Sequence, residues 1–316
     1  ETFKAEGRRP HWRFKLSQAP VTWRDLIRGE TTVDTTNVSD PVLIREDGVY
    51  LYTLPSCIDD IDYKISHVIR GEDHVTNAAV QIEIMRALVD LKGGGAVPAF
   101  AHHSLLIGVD GQGLSKRLGA LSIEAMREDG LEPAAVTSLL AKLGTSEPVA
   151  PQADLFRLVA EFEFEKIGRA PARFDMAELE NLNAKLLHET PFAAVADRLA
   201  GFGVGEPLWN AVKGNITRLR DAVEWRDVID GEIEPVIADK ALADEAALLV
   251  PDDPLTAESW AIFTKTVAEK TGAKGKNLFM PLRLALTARE RGPEMAALFP
   301  LIGAKRARLR LLGKRA

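Results

Sequence analysis

Ile65-Ser66-His67-Val68-Ile69-Arg70-Gly71-Glu72-Asp73-His74 runs a short apolar segment into a polar cluster, and Gly113-Leu114-Ser115-Lys116-Arg117 closes the unit that it opens. The apolar run Ile65–Ile69 has the composition of a buried parallel strand. A helix is expected over 76–91, with Val80, Ile84, Ala87, Leu88 and Leu91 forming its apolar face at helical spacing. Gly93-Gly94-Gly95 breaks that helix, and Ala101 to Ile107 reads as a second buried strand leading into the loop Gly108–Gly113. Strand, helix and strand with a glycine-rich exit make a βαβ unit. Ligands of such folds sit beyond the carboxyl ends of the strands, where both polar clusters fall.

Upstream, Val42-Leu43-Ile44 and Val49-Tyr50-Leu51-Tyr52 flank the turn signal Glu46-Asp47-Gly48, which predicts a hairpin. Downstream of about 121 the strand signals fade. Pro133 opens a helix that Gly144 closes, and Asp175 with Glu178 has capping-box spacing ahead of a helix carrying Leu182, Leu186 and Leu187. Amphipathic stretches follow at 193–200, 239–250, 257–270 and 294–312, with breaks near 201–207 and 251–256. The fold class expected is α/β followed by all-α.

The 316 residues predict two or three domains, and 46% hydrophobic with 27% charged residues is the balance of a globular chain. No run of about 18 apolar residues predicts a membrane helix. The single Cys57 rules out an internal disulfide and a cysteine zinc site, so the default expectation is a cytoplasmic protein. A net charge of −6 argues against indiscriminate nucleic-acid binding, although charge is uneven. Residues 224–253 carry ten Asp/Glu against two Lys/Arg, whereas 270–289 hold five Lys/Arg and 305–316 six, both without an acid. Such clusters are either solvated faces or a strip for a phosphate backbone.

The residues by themselves leave their chemistry open. A lysine and a hydroxyl on the Ser115-Lys116-Arg117 loop have the means to hold a triphosphate, yet such triplets occur on many exposed loops. Arg70 suits a carboxylate substrate, but the residues alone favour a salt bridge to Glu72, Asp73 or Asp60. Asp73 or Thr76 has the chemistry of a helix cap. His67, His74, His102 and His103 lack metal-ligand spacing and read as structural, Cys57 as packing, and Asp59, Asp60 and Asp62 as an acidic turn.

Taken in order, Tyr52-Thr53-Leu54-Pro55-Ser56-x-x-Asp59-Asp60, His67-Val68-Ile69-Arg70-Gly71-Glu72-Asp73-His74, Phe100-Ala101-His102 and Leu114-Ser115-Lys116-Arg117-x-Gly119-Ala120 resemble the second half of the catalytic domain of bacterial glutamyl-tRNA synthetases, which are class I enzymes. The resemblance continues through Pro281–Thr287 and covers nearly the whole chain. It implies the C-terminal half of a Rossmann-like catalytic domain followed by helical stem-contact and anticodon-binding domains. Residues 1–50 correspond to the end of an acceptor-stem-binding insertion, 51–120 to the catalytic half-domain, 121–190 to the stem-contact region and 191–316 to the anticodon-binding region. The function implied is ATP-dependent activation of L-glutamate to glutamyl-AMP, with Mg²⁺, and transfer to tRNA(Glu) by a monomer. Lys116 and Ser115 become catalytic. Lys116, Ser115, Arg117, Leu106, Asp73 and His74 line the ATP site, and Tyr52, Ser56 and Arg70 the glutamate pocket.

Three features depart from the family pattern. Gly113 stands where the loop motif has its first lysine, and Ser56 where many relatives have asparagine. The N-terminal P-x-P-T-G-x-x-H-I-G-type motif is not in this sequence, so the chain is expected to be a fragment with poor activity by itself. The competing expectation is a non-catalytic tRNA-binding paralogue. A glutamyl-queuosine enzyme is disfavoured by the long helical region. A glutaminyl enzyme, whose anticodon region is a β-barrel, is disfavoured by the helical reading of 190–316.

Overall fold

The computed structural model describes residue 5, residue 7, residues 9–114 and residues 122–316. Ser115, Lys116 and Arg117 lie outside the described residues. Two compact units emerge, one of residues 1–118, 140–149 and 156–175, the other of 119–139, 150–155 and 176–316.

The first unit is built on β1 (Trp12–Arg13), β2 (Pro20–Asp25), β3 (Gly29–Asp34), β4 (Val42–Ile44), α1 (Thr53–Asp62), β5 (His67–Gly71), α2 (Val75–Lys92), β6 (Ala99–His103) and β7 (Leu106–Ile107). Its main sheet has the order β3-β2-β6-β5. β5 and β6 run parallel in the register His67↔Ala99 to Gly71↔His103, which is the expected βαβ unit. β2 joins β6 in parallel through Asp25↔Phe100 and pairs with β3 as an antiparallel hairpin. Residues 20–34 therefore share a sheet with the strands that carry Arg70 and His102. The hairpin expected around Gly48 forms, with Ile44 opposite Tyr50 and Arg45 N–H donating to Val49 O at 2.9 Å.

Four expectations need correction. β5 is parallel but not buried: it pairs only with β6 among the described residues, and Ile69 on it is 52% exposed. The second strand does not run unbroken to Ile107. It stops at His103, and β7 pairs instead with β8 (Ala172–Arg173) in a separate sheet. Leu91 is exposed, whereas Ala78, Ala79, Val80, Ile82, Ile84 and Met85 are buried. The first turns of α2 are enclosed by apolar groups including Cys57, Ile61, Val21 and Phe100, so more than one flank is covered, while the last turn reaches solvent. Neither Asp73 nor Thr76 caps α2. A 3-10 turn, Glu72–His74, precedes it, and no side chain caps its start.

α3 (Ile123–Glu128) lies in the second unit, and the unit boundaries at 139/140 and 155/156 fall within α4 (Pro133–Lys142) and α5 (Leu155–Ala160). The second unit continues with α6 (Met176–Glu189), α7 (Ala196–Ala200), α8 (Glu206–Val212), α9 (Asp221–Asp230), α10 (Lys240–Leu249), α11 (Ala257–Thr271), α12 (Lys276–Thr287), α13 (Met295–Ile302) and α14 (Ala304–Leu311). The stretch 294–312 is thus two helices, broken at Gly303. Leu182, Leu186 and Leu187 are buried as the spacing of α6 requires. Trp260, Phe263 and Phe299 form an aromatic cluster with ring centroids 5.1–5.9 Å apart.

Charge is also settled locally in this unit. Arg289 pairs with Glu224 at 3.2 Å, Arg308 with Asp252 at 2.6 Å and Arg315 with Glu234 at 2.7 Å. Arg310 is fully buried and donates to the carbonyls of Leu286, Gly231 and Ala316. The acidic and basic segments are therefore partners of one another in part, which narrows the phosphate-strip reading. No helix among the described residues is long and apolar enough to cross a membrane.

Candidate functional site

Arg70 leaves the carboxyl end of β5, where the chain turns at Gly71 into the 3-10 turn. A Cβ on Gly71 would stand 2.5 Å from Asp73 Oδ1 and 3.0 Å from Leu105 Cδ2, so the close approach there is one that suits glycine. The Arg70 guanidinium lies 5.6 Å from the centroid of the Phe100 ring. Its Nε donates to His102 Nε2 at 3.4 Å and its Nη1 to Tyr52 Oη at 3.5 Å, both long contacts. Its Nη2 is buried without a partner among the described residues.

The salt bridges weighed for Arg70 do not form among the described residues. Glu72 pairs with Arg28 at 2.5 Å, and Asp73 faces His74 at 3.8 Å. Asp60 makes no ion pair with Arg70 but feels its charge. Burial pushes the Asp60 carboxyl up from its ordinary value and Asp59 adds to the rise, while Arg70 pulls it down. Among the described residues Arg70 thus has a buried, unused N–H and no anionic partner, which gives it the donors to hold a carboxylate.

Tyr52, 61% exposed, stands beside Arg70 at the start of α1. One turn on, Ser56 Oγ donates to Thr53 O at 3.2 Å and accepts from Gln81 Nε2 at 2.9 Å, so much of its hydrogen-bonding capacity is already used. Gln81 is buried, and its Oε1 has no partner among the described residues. Cys57 is enclosed, and burial with the nearby Asp60 charge pushes its thiol up to about 12, which makes it inert as a nucleophile.

Asp73 and His74 sit together on the 3-10 turn, with His74 Nδ1 3.1 Å from Asn77 Nδ2. Leu106 on β7 borders an apolar cavity of about 280 Å³ that Ile69, His103, Leu140, Phe162 and Ile167 also line. Tyr52 and Arg70 are thus brought together, Ser56 lies one turn along α1 with its hydroxyl on Thr53 and Gln81, and Leu106 belongs to the separate β7–β8 ladder. Among the described residues no group of three or more His, Cys, Asp or Glu is placed to hold a metal ion.

Two further residues meet at the site, Asp25, which carries no signal in the sequence, and His102, which the sequence places in the Phe100-Ala101-His102 block without a role. His102 is fully buried, and its Nδ1 lies 2.6 Å from Asp25 Oδ2, on a side chain equally buried. Asp25 Oδ1 accepts from the backbone N–H groups of Ile27, Arg28 and His102 at 2.9–3.1 Å. Burial favours a neutral Asp25, but these hydrogen bonds outweigh it and hold the carboxyl below its ordinary value. Burial lowers His102, against the pull of Asp25 and with the charges of Arg70 and Arg28 assisting. The pair is therefore a carboxylate and a neutral imidazole, with the proton on Nδ1 and the Nε2 lone pair facing Arg70.

With that geometry in hand, comparison with known proteins is specific. A family model described as tRNA synthetases class I (E and Q), catalytic domain, matches residues 1–183, and an anticodon binding domain model matches residues 206–313. The chain is 54% identical over 318 residues to Glutamate--tRNA ligase 2 of Methylobacterium sp., spanning 99% of this chain and 70% of that relative. It is 51% identical over 317 residues to Glutamate--tRNA ligase 1 of Maricaulis maris, with the same shares. Among solved structures, a glutamate tRNA ligase from Elizabethkingia meningosepticum in complex with its amino acid superposes with a TM-score of 0.82 at 25% identity, over 98% of this chain and 69% of that one.

Proposed function

Because this chain belongs to the class I tRNA synthetases for glutamate and glutamine, we propose that Arg70, Tyr52 and Ser56 form the amino-acid pocket of a glutamate–tRNA ligase. The enzyme joins L-glutamate to the 3' end of tRNA(Glu) with ATP as a substrate. A carboxylate oxygen of glutamate attacks the α-phosphorus of ATP, pyrophosphate leaves, and glutamyl-AMP results. A hydroxyl of the terminal ribose then attacks the glutamyl carbonyl and AMP leaves. Neither step forms a bond to the protein, so the residues act by positioning and by charge.

The observation that carries the pocket is the buried, unpartnered Nη2 of Arg70 beside Tyr52. A carboxylate of the substrate accepts from Nη2 and Nη1 as a two-point acceptor, with Tyr52 Oη at its edge. Asp73, His74 and the backbone at Leu106 hold the adenosine side, and the apolar cavity beside Leu106 supports a planar base there. Ser115, Lys116 and Arg117 oppose the phosphates; that role rests on the motif they spell. Mg²⁺ accompanies the triphosphate as part of the substrate, a mode that needs few protein ligands.

Residues 1–50 lead from the acceptor-stem region into the sheet, 51–120 carry the catalytic half-domain, 121–190 contact the stem and 191–316 bind the anticodon. The helical second unit and the match at 206–313 support the last of these. The protein acts as a monomer in the cytoplasm, where tRNA is charged.

The test is Arg70→Ala in the natural full-length polypeptide, read by steady-state glutamylation. Losing a charge-assisted carboxylate contact raises the glutamate KM about thirtyfold or more. An unchanged glutamate KM refutes the pocket.

A further inference from the structure

Arg70 is held on its inner side by a buried pair that the catalytic reading does not use. We propose that Asp25 and His102 form a positioning relay, in which Asp25 fixes the His102 ring and His102 Nε2 aims the Arg70 guanidinium at the substrate carboxylate. The inference rests on the reading of Arg70 as the glutamate ligand, and it assigns its own task to residues 77 positions apart in sequence.

The geometry supplies each link. Asp25 ends β2, where the parallel bridge to Phe100 and the bond from Leu26 N–H to Phe100 O at 2.9 Å lock it against β6. Three backbone N–H groups fill Asp25 Oδ1, which leaves Oδ2 for His102 Nδ1 at 2.6 Å. The imidazole lies nearly parallel to the Phe100 ring, 3° between planes and 6.2 Å between centroids, and Trp23 closes another side edge-on at 6.3 Å. A ring enclosed in this way has one orientation, and its free lone pair faces Arg70 Nε at 3.4 Å. Using Nε for the relay leaves Nη1 and Nη2 for the ligand, and Nη2 is the atom without a partner.

A purely structural purpose accounts poorly for this arrangement. An ionised carboxylate and an imidazole with side chains 0% exposed are costly to bury, and apolar groups of equal volume serve a core as well or better. The tautomer is the useful product. With the proton on Nδ1, Nε2 is an acceptor, and an arginine offers only donors.

Four variants of the natural full-length polypeptide test the relay by glutamylation kinetics, with glutamate, ATP and tRNA varied separately. Asp25→Asn keeps the shape but offers an amide donor to His102 Nδ1, driving the proton to Nε2 where it opposes Arg70 Nε–H. The glutamate KM rises about tenfold while the ATP and tRNA KM values stay within about twofold. His102→Asn places an amide N–H near the Nδ1 position, keeping the bond to Asp25 but losing the acceptor for Arg70, and shows the same rise. His102→Gln reaches Arg70 with its carbonyl and brings the glutamate KM back to within about threefold of the unaltered enzyme.

Equal KM values for the Asn and Gln variants, or a parallel rise for all three substrates, overturn the relay. Should Asp25→Asn fail to fold, the two His102 variants decide alone. Arg70→Ala separates the readings. If it raises the glutamate KM and the Asp25 and His102 variants do not, only the relay falls; if it does not, the pocket and the relay fall together.

Discussion

Replacing Arg310 with Met removes the charged clamp inside the helical unit while keeping most of the volume. Arg310 Nη1 donates to Leu286 O at 2.8 Å, Nη2 to Gly231 O at 3.0 Å and Nε to Ala316 O at 2.8 Å. Leu286 lies in the last turn of α12 and Gly231 directly follows α9, where carbonyls lack partners within the helix. Burial lowers Arg310 to about 10, with Arg306 adding to the fall and Asp230 opposing it, so at neutral pH it is still a cation. Each buried carbonyl left without a donor costs about 1–3 kcal/mol. Counting Leu286 O and Gly231 O and allowing Ala316 O to find solvent, the loss is about 3–4 kcal/mol. With a slope of about 2 kcal/mol/M in urea, the unfolding midpoint falls by about 1.5–2 M. Tryptophan fluorescence follows the transition, since Trp209, Trp225 and Trp260 are buried in this unit. A shift below about 0.5 M refutes the assignment of Arg310 as the donor that both helix ends depend on.

Three further outcomes follow from the same reasoning. Lys116→Ala in the full-length polypeptide lowers adenylate formation by about a hundredfold or more, because a lysine opposing growing phosphate charge is lost, and leaves tRNA affinity within about twofold; collapse of tRNA binding with pyrophosphate exchange intact reverses the assignment. His102 and Asp25 both have lowered values in the fold, so the stability they lend is whole above the ordinary values of 6.5 and 3.8 and is lost as pH falls through the lower folded ones. Urea midpoints taken on either side of pH 6.5 therefore fall with acid in the unaltered protein and less steeply in His102→Gln; equal slopes exclude His102 as the source. Gly71→Ala turns the half-exposed Asp73 carboxylate aside and crowds Leu105, at a cost of about 0.5–1 kcal/mol seen as a melting temperature lower by about 1–3 degrees, and a fall of more than about 5 degrees shows that the turn itself is strained by a side chain.

The βαβ unit and the helical character of the second half were legible because both rest on local pattern. A run of β-branched residues, a helical period and a glycine break are statements about neighbours in sequence, and the order strand, helix, strand forms as they predict, although the second strand ends at His103. The same locality explains the misreadings. Whether Ile69 is covered depends on what lies beside β5, and whether Ala101–Ile107 is one strand depends on Ala172, which captures Leu106 into another ladder.

The motifs around Arg70 and Lys116 identified the family, since their residue types and order encode substrate chemistry directly. What Arg70 does with its donors was undecidable from the same letters, because Glu72, Asp73 and Asp60 were all within reach in sequence. Packing narrows it by giving Glu72 to Arg28 and leaving Nη2 of Arg70 unpaired among the described residues. The pairing of Asp25 with His102 lies furthest from any sequence signal. Their pairing exists because β2 and β6 meet at Asp25 and Phe100, a long-range contact that no periodicity records. Local propensity and composition thus determined which elements form and which chemistry is carried. Tertiary contact determined which donors remain free among the described residues, because pairing is set by what the fold brings alongside each side chain.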